Sequence, residues 1–253
     1  MTTFWFGCVG KDWRHRARGD ILLPRGKRAG QVMPSKDDEK TKWVDPTIED
    51  IDVLADLMCA SDEGVVPVSF TLNLDCEATW RWEPPEGSLP DSRLNFLLSK
   101  WRALRGEAAM PQMSAVDPFE LAPALGFVML LDLLPGGYDC RYRLYGTVIA
   151  DHAGRDWTGY TVAEMNRITR SQVALFYRGG YRAMHQRQSP MFTSHRSPSW
   201  LAASTWSRLI LPLAGEDGSL ARFLVGNIPG DVRYLSEEQE AEQKRRLRPN
   251  QTA

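Results

Sequence analysis

RYRLYGTVIADHAGRDWTGYTVAE, residues 141–164, changes its period twice within one short stretch. Cys140, Tyr142 and Leu144 alternate with Arg141 and Arg143, which is a strand with one wet face. Gly146 breaks that strand and a short helical segment follows. Gly154 and Gly159 then bracket Trp157 and give the chain two further turns. A switch from strand to helix to turn over so few residues is typical of a chain wrapping around a small cavity.

Working outward, residues 127–134 form a nearly unbroken apolar run that suits a central strand. Pro135-Gly136-Gly137 between the two runs is a turn, with Pro fixing φ and Gly supplying a positive one. Downstream, residues 161–168 read as a short helix or turn. Thr169 with Gln172 can cap a longer helix reaching about Gln186. Its apolar face carries Val173, Phe176, Tyr177, Tyr181 and Met184. Gly179 and Gly180 interrupt that helix at roughly 1 kcal/mol each against Ala, so close approach to the sheet or to a ligand is expected there. Residues 191–197 read as an edge strand with a solvated His195. Residues 205–213 and 220–228 are two strands joined by the hairpin loop Gly215-Glu216-Asp217-Gly218.

Residues 91–105 form the most regular helix, capped by Asp91 or Ser92 and ended by Gly106. Leu94, Leu97, Leu98, Trp101 and Leu104 make one stripe, which docks either on its own domain or on a second copy of the chain. Pro84, Pro85, Gly87 and Pro90 mark a linker-like break and a domain boundary. Before it, residues 66–74 alternate as an edge strand containing Pro67. Residues 45–58 form a helix with Thr47 and Asp50 as a capping box, so 45–90 is a small helix-strand extension with its linker. Residues 1–44 lack any apolar period. Lys11, Arg14, Arg16, Arg18, Arg25, Lys27 and Arg28 are met there only by Asp12 and Asp20, which reads as a disordered basic lead. That composition also admits a biological start downstream, at Met33 or Met58. Residues 231–253 are a polar tail in which Ser236 and Gln239 cap a last helix.

With 253 residues, 43% hydrophobic and 25% charged, the chain has the make-up of an ordinary globular protein. A net charge of -1 leaves no global field to recruit nucleic acid. No apolar run approaches the roughly 18 residues of a membrane span. The four cysteines form no C-x-x-C pair, so zinc-ribbon and redox motifs are absent. A cytoplasmic location follows as the default. From residue 91 to 230 the order is helix, two strands, short helices, a longer helix and three strands. That is an α+β layer, an antiparallel sheet with helices on one face.

Four stretches of that layer resemble the PAS domain, and more narrowly the single-PAS family common in alphaproteobacteria. LLSKWRALRGEAAMP (97–111) is similar to the family's opening helix and turn, and DPFELAPALGFVMLLDLLP (117–135) to its first strand. YRLYGTVIADHAGRDWTGYTVAEM (142–165) is similar to its most specific motif, and SRLILPLAGEDGSLARFLVG (207–226) to its final hairpin. The resemblance implies a five-stranded antiparallel sheet over 91–230, preceded by the N-terminal extension. It implies signal sensing or protein–protein regulation, and no ligand of necessity, since many PAS domains serve only to dimerise.

The expected function is therefore a regulatory module without catalysis of its own. It docks to a signalling partner that supplies the output domain, or forms a homodimer through Leu94, Leu97, Leu98 and Trp101, with optional control by a small molecule. Tyr145, Trp157, Tyr160, Phe176, Trp206, Arg208 and Asn227 are the candidate ligand-binding residues, being aromatic or polar groups on elements that flank the PAS cavity. Arg208 shares strand parity with Trp206 and Ile210 and so points at the helices. Buried there, it needs an acid such as Asp151 or Asp156, or an anionic ligand. Neither haem nor flavin is supported by a motif: His185 lies in the last helical turn, and Cys140 sits at a strand start. No metal site and no catalytic residue is expected, because G-x-S-x-G, H-E-x-x-H and P-loop motifs are missing. The alternatives are a small-molecule enzyme on a similar cone-shaped α+β scaffold, which would need a pocket acid–base pair, and a purely structural dimerisation domain.

Overall fold

The computed structural model describes residues 44–67, 78–170 and 173–248. The readings made for the basic lead, for residues 68–74 of the first strand and for Gln172 lie outside the described residues. Six α-helices and seven strands follow in the order α1 (Ile48–Cys59), β1 (Glu63–Val65), β2 (Ala78–Trp82), α2 (Ser92–Arg105), β3 (Val128–Leu133), β4 (Cys140–Tyr145), α3 (Thr147–Ala153), α4 (Val162–Thr169), α5 (Ala174–Arg187), β5 (Met191–Arg196), β6 (Ala203–Ala214), β7 (Leu220–Val232) and α6 (Glu237–Leu247). The strands form one antiparallel sheet in the order β1-β2-β5-β6-β7-β3-β4.

The α+β class holds, and two features go beyond the expected five-stranded layer. Strands β3 to β7 make up the five, and β1 and β2 extend them beyond β5. Helices also cover both faces. Along β6, Trp206, Arg208 and Ile210 are buried on one side, while Leu209, Leu211 and Leu213 are buried on the other. A strand apolar on both faces needs a layer on each. Helix α5 covers the first face, where Tyr181 stacks on Phe223. Helix α2 covers the second: a Cβ on Gly226 would meet Leu97 and Leu94, and Trp101 Nε1 donates to Pro212 O at 2.7 Å.

Docking of α2 on its own sheet corrects the interface reading. Leu94, Leu97 and Leu98 are 0% exposed and Trp101 is 1% exposed within the single chain. These four side chains are consumed by their own domain and offer no surface to a second copy, while Leu104 at the end of the stripe is half-buried. The caps are as the sequence implies. Asp91 accepts from Arg93 N, and Gly106 ends the helix with φ 54°. Thr47 with Asp50 and Ser236 with Gln239 form reciprocal capping boxes. Thr169 is the exception: it ends α4 and donates back to Met165 O at 2.9 Å, rather than opening α5.

The extension before residue 91 belongs to the same packed unit. β2 pairs with β5 along its whole length, from Ala78 opposite His195 to Trp82 opposite Met191. Helix α1 lies on α5 through Ile51, Leu54, Ala55 and Met58, all at 0% exposure. Polar pairs line the same contact: Arg178 with Asp45, Arg182 with Asp52, Gln186 with Asp56, and Arg187 with Asp62. The break at 84–90 is thus a loop within one core rather than a boundary between two.

The close approach expected at the mid-helix glycines is made by a helix. A Cβ on Gly179 would sit 2.7 Å from Leu54 Cδ2 and 3.1 Å from Leu54 Cβ, whereas one on Gly180 meets only Met191 Cε at 3.7 Å. The two positions therefore predict opposite outcomes. Gly180→Ala gains helix propensity in ordinary contact and should stabilise the protein by about 1 kcal/mol. Gly179→Ala gains the same propensity but forces α1 away, at a cost of about 1–3 kcal/mol, and should be net destabilising. Urea unfolding midpoints of the two variants against the parent check this; a Gly179→Ala midpoint above the parent's would contradict the packing.

Candidate functional site

Residues 141–164, where the period changes twice, assemble the cavity. Gly146 lets β4 turn into α3. Gly154, with φ 76°, ends α3, and Gly159, with φ 90°, turns the chain again. The returning segment runs beside the outer edge of β4: Tyr142 N donates to Tyr160 O and Gly159 N donates to Tyr142 O. Trp157, 2% exposed, is thereby folded under the helices. Asp156, expected as an acid near the cavity, accepts from Thr158 N and closes a turn at the surface. Glu164 forms a capping box with Thr161 at the start of α4. Asp151 is exposed on α3.

A cavity of about 60 Å³ lies between this segment, α4, α5 and the sheet. Four of the seven candidate ligand-binding residues line it: Tyr145, Trp157, Trp206 and Asn227. Tyr160, Phe176 and Arg208 do not. Tyr160 stands edge-on to Trp157 at 5.6 Å and accepts from Arg155 Nη2 at 2.6 Å. Phe176 is core, 5.4 Å from the His195 ring. Arg208 lies one layer behind the wall, its guanidinium 4.6 Å from the ring of Tyr177, which does line the cavity.

The sequence missed several wall residues. His195, expected to be solvated on an edge strand, is 2% exposed because β2 covers the free side of β5. Its Nε2 is 2.9 Å from Tyr177 Oη. Burial, with the charge of Arg208 added, pushes its pKa down to about 3, so the imidazole is neutral. Ser197, Trp200 and Leu201 enter from the loop after β5, and Leu247 enters from α6. The last helix is therefore not a free tail. Arg155 Nη1 donates to Leu247 O at 3.0 Å, Arg246 Nη1 to Thr169 O at 3.3 Å, and Gln239 Nε2 to Ser199 O at 2.9 Å. A Ser-Gln capping box followed by one Leu among basic residues was the only sequence sign of it.

Beneath the cavity the sheet has a polar floor. Thr193, Arg208 and Asn227 stand opposite one another across β5, β6 and β7. His195 continues it along β5, and Ser197 follows just beyond the strand end. Arg208, 4% exposed, donates to Tyr181 Oη at 2.5 Å and lies 5.6 Å from that ring. No carboxylate pairs with it among the described residues, so the expected partners Asp151 and Asp156 are not its partners. Burial pushes the Tyr181 hydroxyl up to about 12, keeping it a neutral acceptor. Cys140 is fully buried, and burial drives its thiol well above the ordinary range, so it packs as a small apolar group.

An antiparallel sheet that wraps a small cavity with its helices and a Gly-rich crossover defines the class of the domain as α+β. A family model described as PAS domain matches residues 91–228, and the chain belongs to that family. No curated protein and no solved structure matches it. PAS domains are in general sensory or regulatory modules. No helix among the described residues is long and apolar enough to cross a membrane.

Proposed function

We propose that this chain is a regulatory PAS module that acts through contact with a signalling partner supplying the output, and that a small ligand in the cavity controls the contact. The observation that carries the ligand half is the cavity's chemistry. Aromatic walls from Tyr145, Trp157 and Trp206 close over a floor whose His195 and Asn227 are buried with a polar atom left unpartnered. A mostly apolar pocket with a few converging polar groups is the usual form of a small-molecule site. No Asp or Glu lines it, so the acid–base pair required by the enzyme reading has no acid beside His195, and the sensory reading is favoured.

Occupancy is read by the segments that close the cavity, the 197–201 loop and Leu247 of α6. A ligand shifts the partner contact only as far as it binds one arrangement of these segments better than the other. The α2 stripe is buried, so self-association or docking uses another surface. The test is native mass spectrometry of the full chain purified gently, followed by denaturation of the same sample. A released non-protein mass supports ligand control. A bare chain held with a partner or a second copy removes the ligand half, and a bare monomer removes both the ligand half and self-association, leaving only contact with a separate partner.

A further inference from the structure

The polar floor is more specific than a generic pocket lining. Nine buried side-chain polar atoms lack a partner among the described residues. Five of them sit on this floor: Thr193 Oγ1, His195 Nδ1, Ser197 Oγ, Arg208 Nε and Asn227 Oδ1. Each buried polar atom left unmatched is costly, and three of the five, on His195, Ser197 and Asn227, line the cavity itself, which marks its floor as a surface built to be hydrogen-bonded.

Its charge has one sign. Arg208 keeps its proton under all ordinary conditions, and no carboxylate pairs with it among the described residues. His195 is held neutral beside it. An unpaired guanidinium in a low-dielectric interior is strongly unfavourable, and the faces and hydroxyls of Tyr177 and Tyr181 offset that only in part. The cavity wall, meanwhile, includes no Asp or Glu. The site is therefore short of one negative charge.

We propose that the cavity binds a short-chain monocarboxylate, with the carboxylate over Asn227 and His195 and the alkyl end among Trp157, Trp206 and Leu247. The proposal rests on the ligand-controlled reading above and names its ligand class. Directly opposed residues on paired strands stand about 5 Å apart. A carboxylate over Asn227 is therefore one strand away from Arg208, and the low dielectric lets the charge act across that gap. Hydrogen bonding is met as well. Tyr177 Oη and His195 Nε2 share a hydrogen bond whose direction follows the tautomer; in the bound form Tyr177 donates to Nε2, so the His195 proton on Nδ1 faces the ligand, as does the Ser197 hydroxyl. The Asn227 amide, whose orientation follows its surroundings, turns its Nδ2 inward. Size restricts the class further. A water needs about 10–15 Å³ of such space, so 60 Å³ accepts about four to six non-hydrogen atoms, which is the size of acetate to butyrate.

The experiment titrates the full chain with acetate, propionate, butyrate, butyramide and inorganic phosphate, following binding by calorimetry and by the thermal midpoint. Butyrate or propionate is expected to bind at least about tenfold more tightly than butyramide, with phosphate excluded by the apolar walls. Arg208→Gln, its fold checked by circular dichroism, is expected to abolish the preference for acid over amide. Ser197→Ala, at a half-buried position, is expected to weaken carboxylate binding severalfold while unfolding at the same temperature. Equal binding of butyrate and butyramide would overturn the proposal and leave the ligand pocket standing. Binding of phosphate as tightly as butyrate would overturn the assigned class. No binding by any of the five, amide included, would overturn the proposal and count against the ligand half of the function.

Discussion

Gly146→Ala should come close to unfolding the protein. The position is not one of conformational strain, because its φ of -58° and ψ of 142° suit any residue. The reason is space. An added Cβ would lie 2.5 Å from Gly126 O, 2.8 Å from Gly126 C and 2.8 Å from Val128 O. All three are backbone atoms, so no side chain can swing aside. The backbone itself is held, because β3 begins at Val128 and pairs with both β4 and β7. Gly126 has no room to retreat either, since its own Cβ position already meets Val148 Cγ2 at 2.9 Å. Overpacking a core costs about 1–3 kcal/mol when side chains absorb it, and here the sheet register must absorb it. A loss of about 3 kcal/mol or more is expected, a large part of the usual 5–15 kcal/mol. The readout is the urea midpoint and soluble yield, with Gly180→Ala as the control for the same chemical change. A Gly146→Ala midpoint within a few tenths of a molar of the parent's would show that the strand end is free to shift.

The same close contact explains why the Leu-Tyr-Gly-Thr segment is informative as sequence alone. Gly146 lets β4 end against the start of β3 and enter α3, which aims Tyr145 at the cavity and brings Trp157 back under α5. These effects are local, and local physics is what a sequence displays. The reciprocal caps at Thr47 and Ser236, the Asp91 cap, the two hairpin turns and the parity of Arg208 with Trp206 all depend on residues within a few positions of one another. What the sequence hid was contact between distant segments. His195 has the period of an edge strand, and only the arrival of β2 buries it. Leu247 is one apolar residue in a basic helix, and only the fold shows that it closes a cavity. The stripe of α2 was legible, but an apolar face does not state whether it packs on its own sheet or on a second copy. The apolar run on both faces of β6 was the available sign that two layers of helix were needed.

A chain trimmed to residues 91–228, the span of the family match, should fail to fold into a stable unit. The trimming removes α1, β1 and β2, together with Ile51, Leu54, Met58, Trp80 and Trp82, each at most 4% exposed. Burying side chains of this size contributes about 1.5–3 kcal/mol each, on the order of 10 kcal/mol in all. The entropy of ordering those residues disappears with them, so the net loss is smaller. The surface left behind is the decisive element. Helix α5 would present Gly179 and Ala183, now covered by Leu54 and Cys59, to water, with Arg178, Arg182 and Arg187 stripped of their acids. Met191 and His195 would lose the cover of β2, and the β5 edge would stand open, a template for pairing with other chains. At the other end, trimming removes the last four residues of β7, which pair with the start of β6 from Ala203 to Trp206, and removes α6 with Leu247 from the cavity mouth. Expressed side by side, residues 44–248 are expected to unfold in one cooperative transition, and residues 91–228 to aggregate or to show no cooperative melt. Two intermediate chains separate the causes: 91–248 should fail like the short form, whereas 44–228 should fold with an opened cavity and a lower midpoint. A cooperative melt of 91–228 at the temperature of the longer chain would mean that the extension is an accessory to the PAS core rather than part of it.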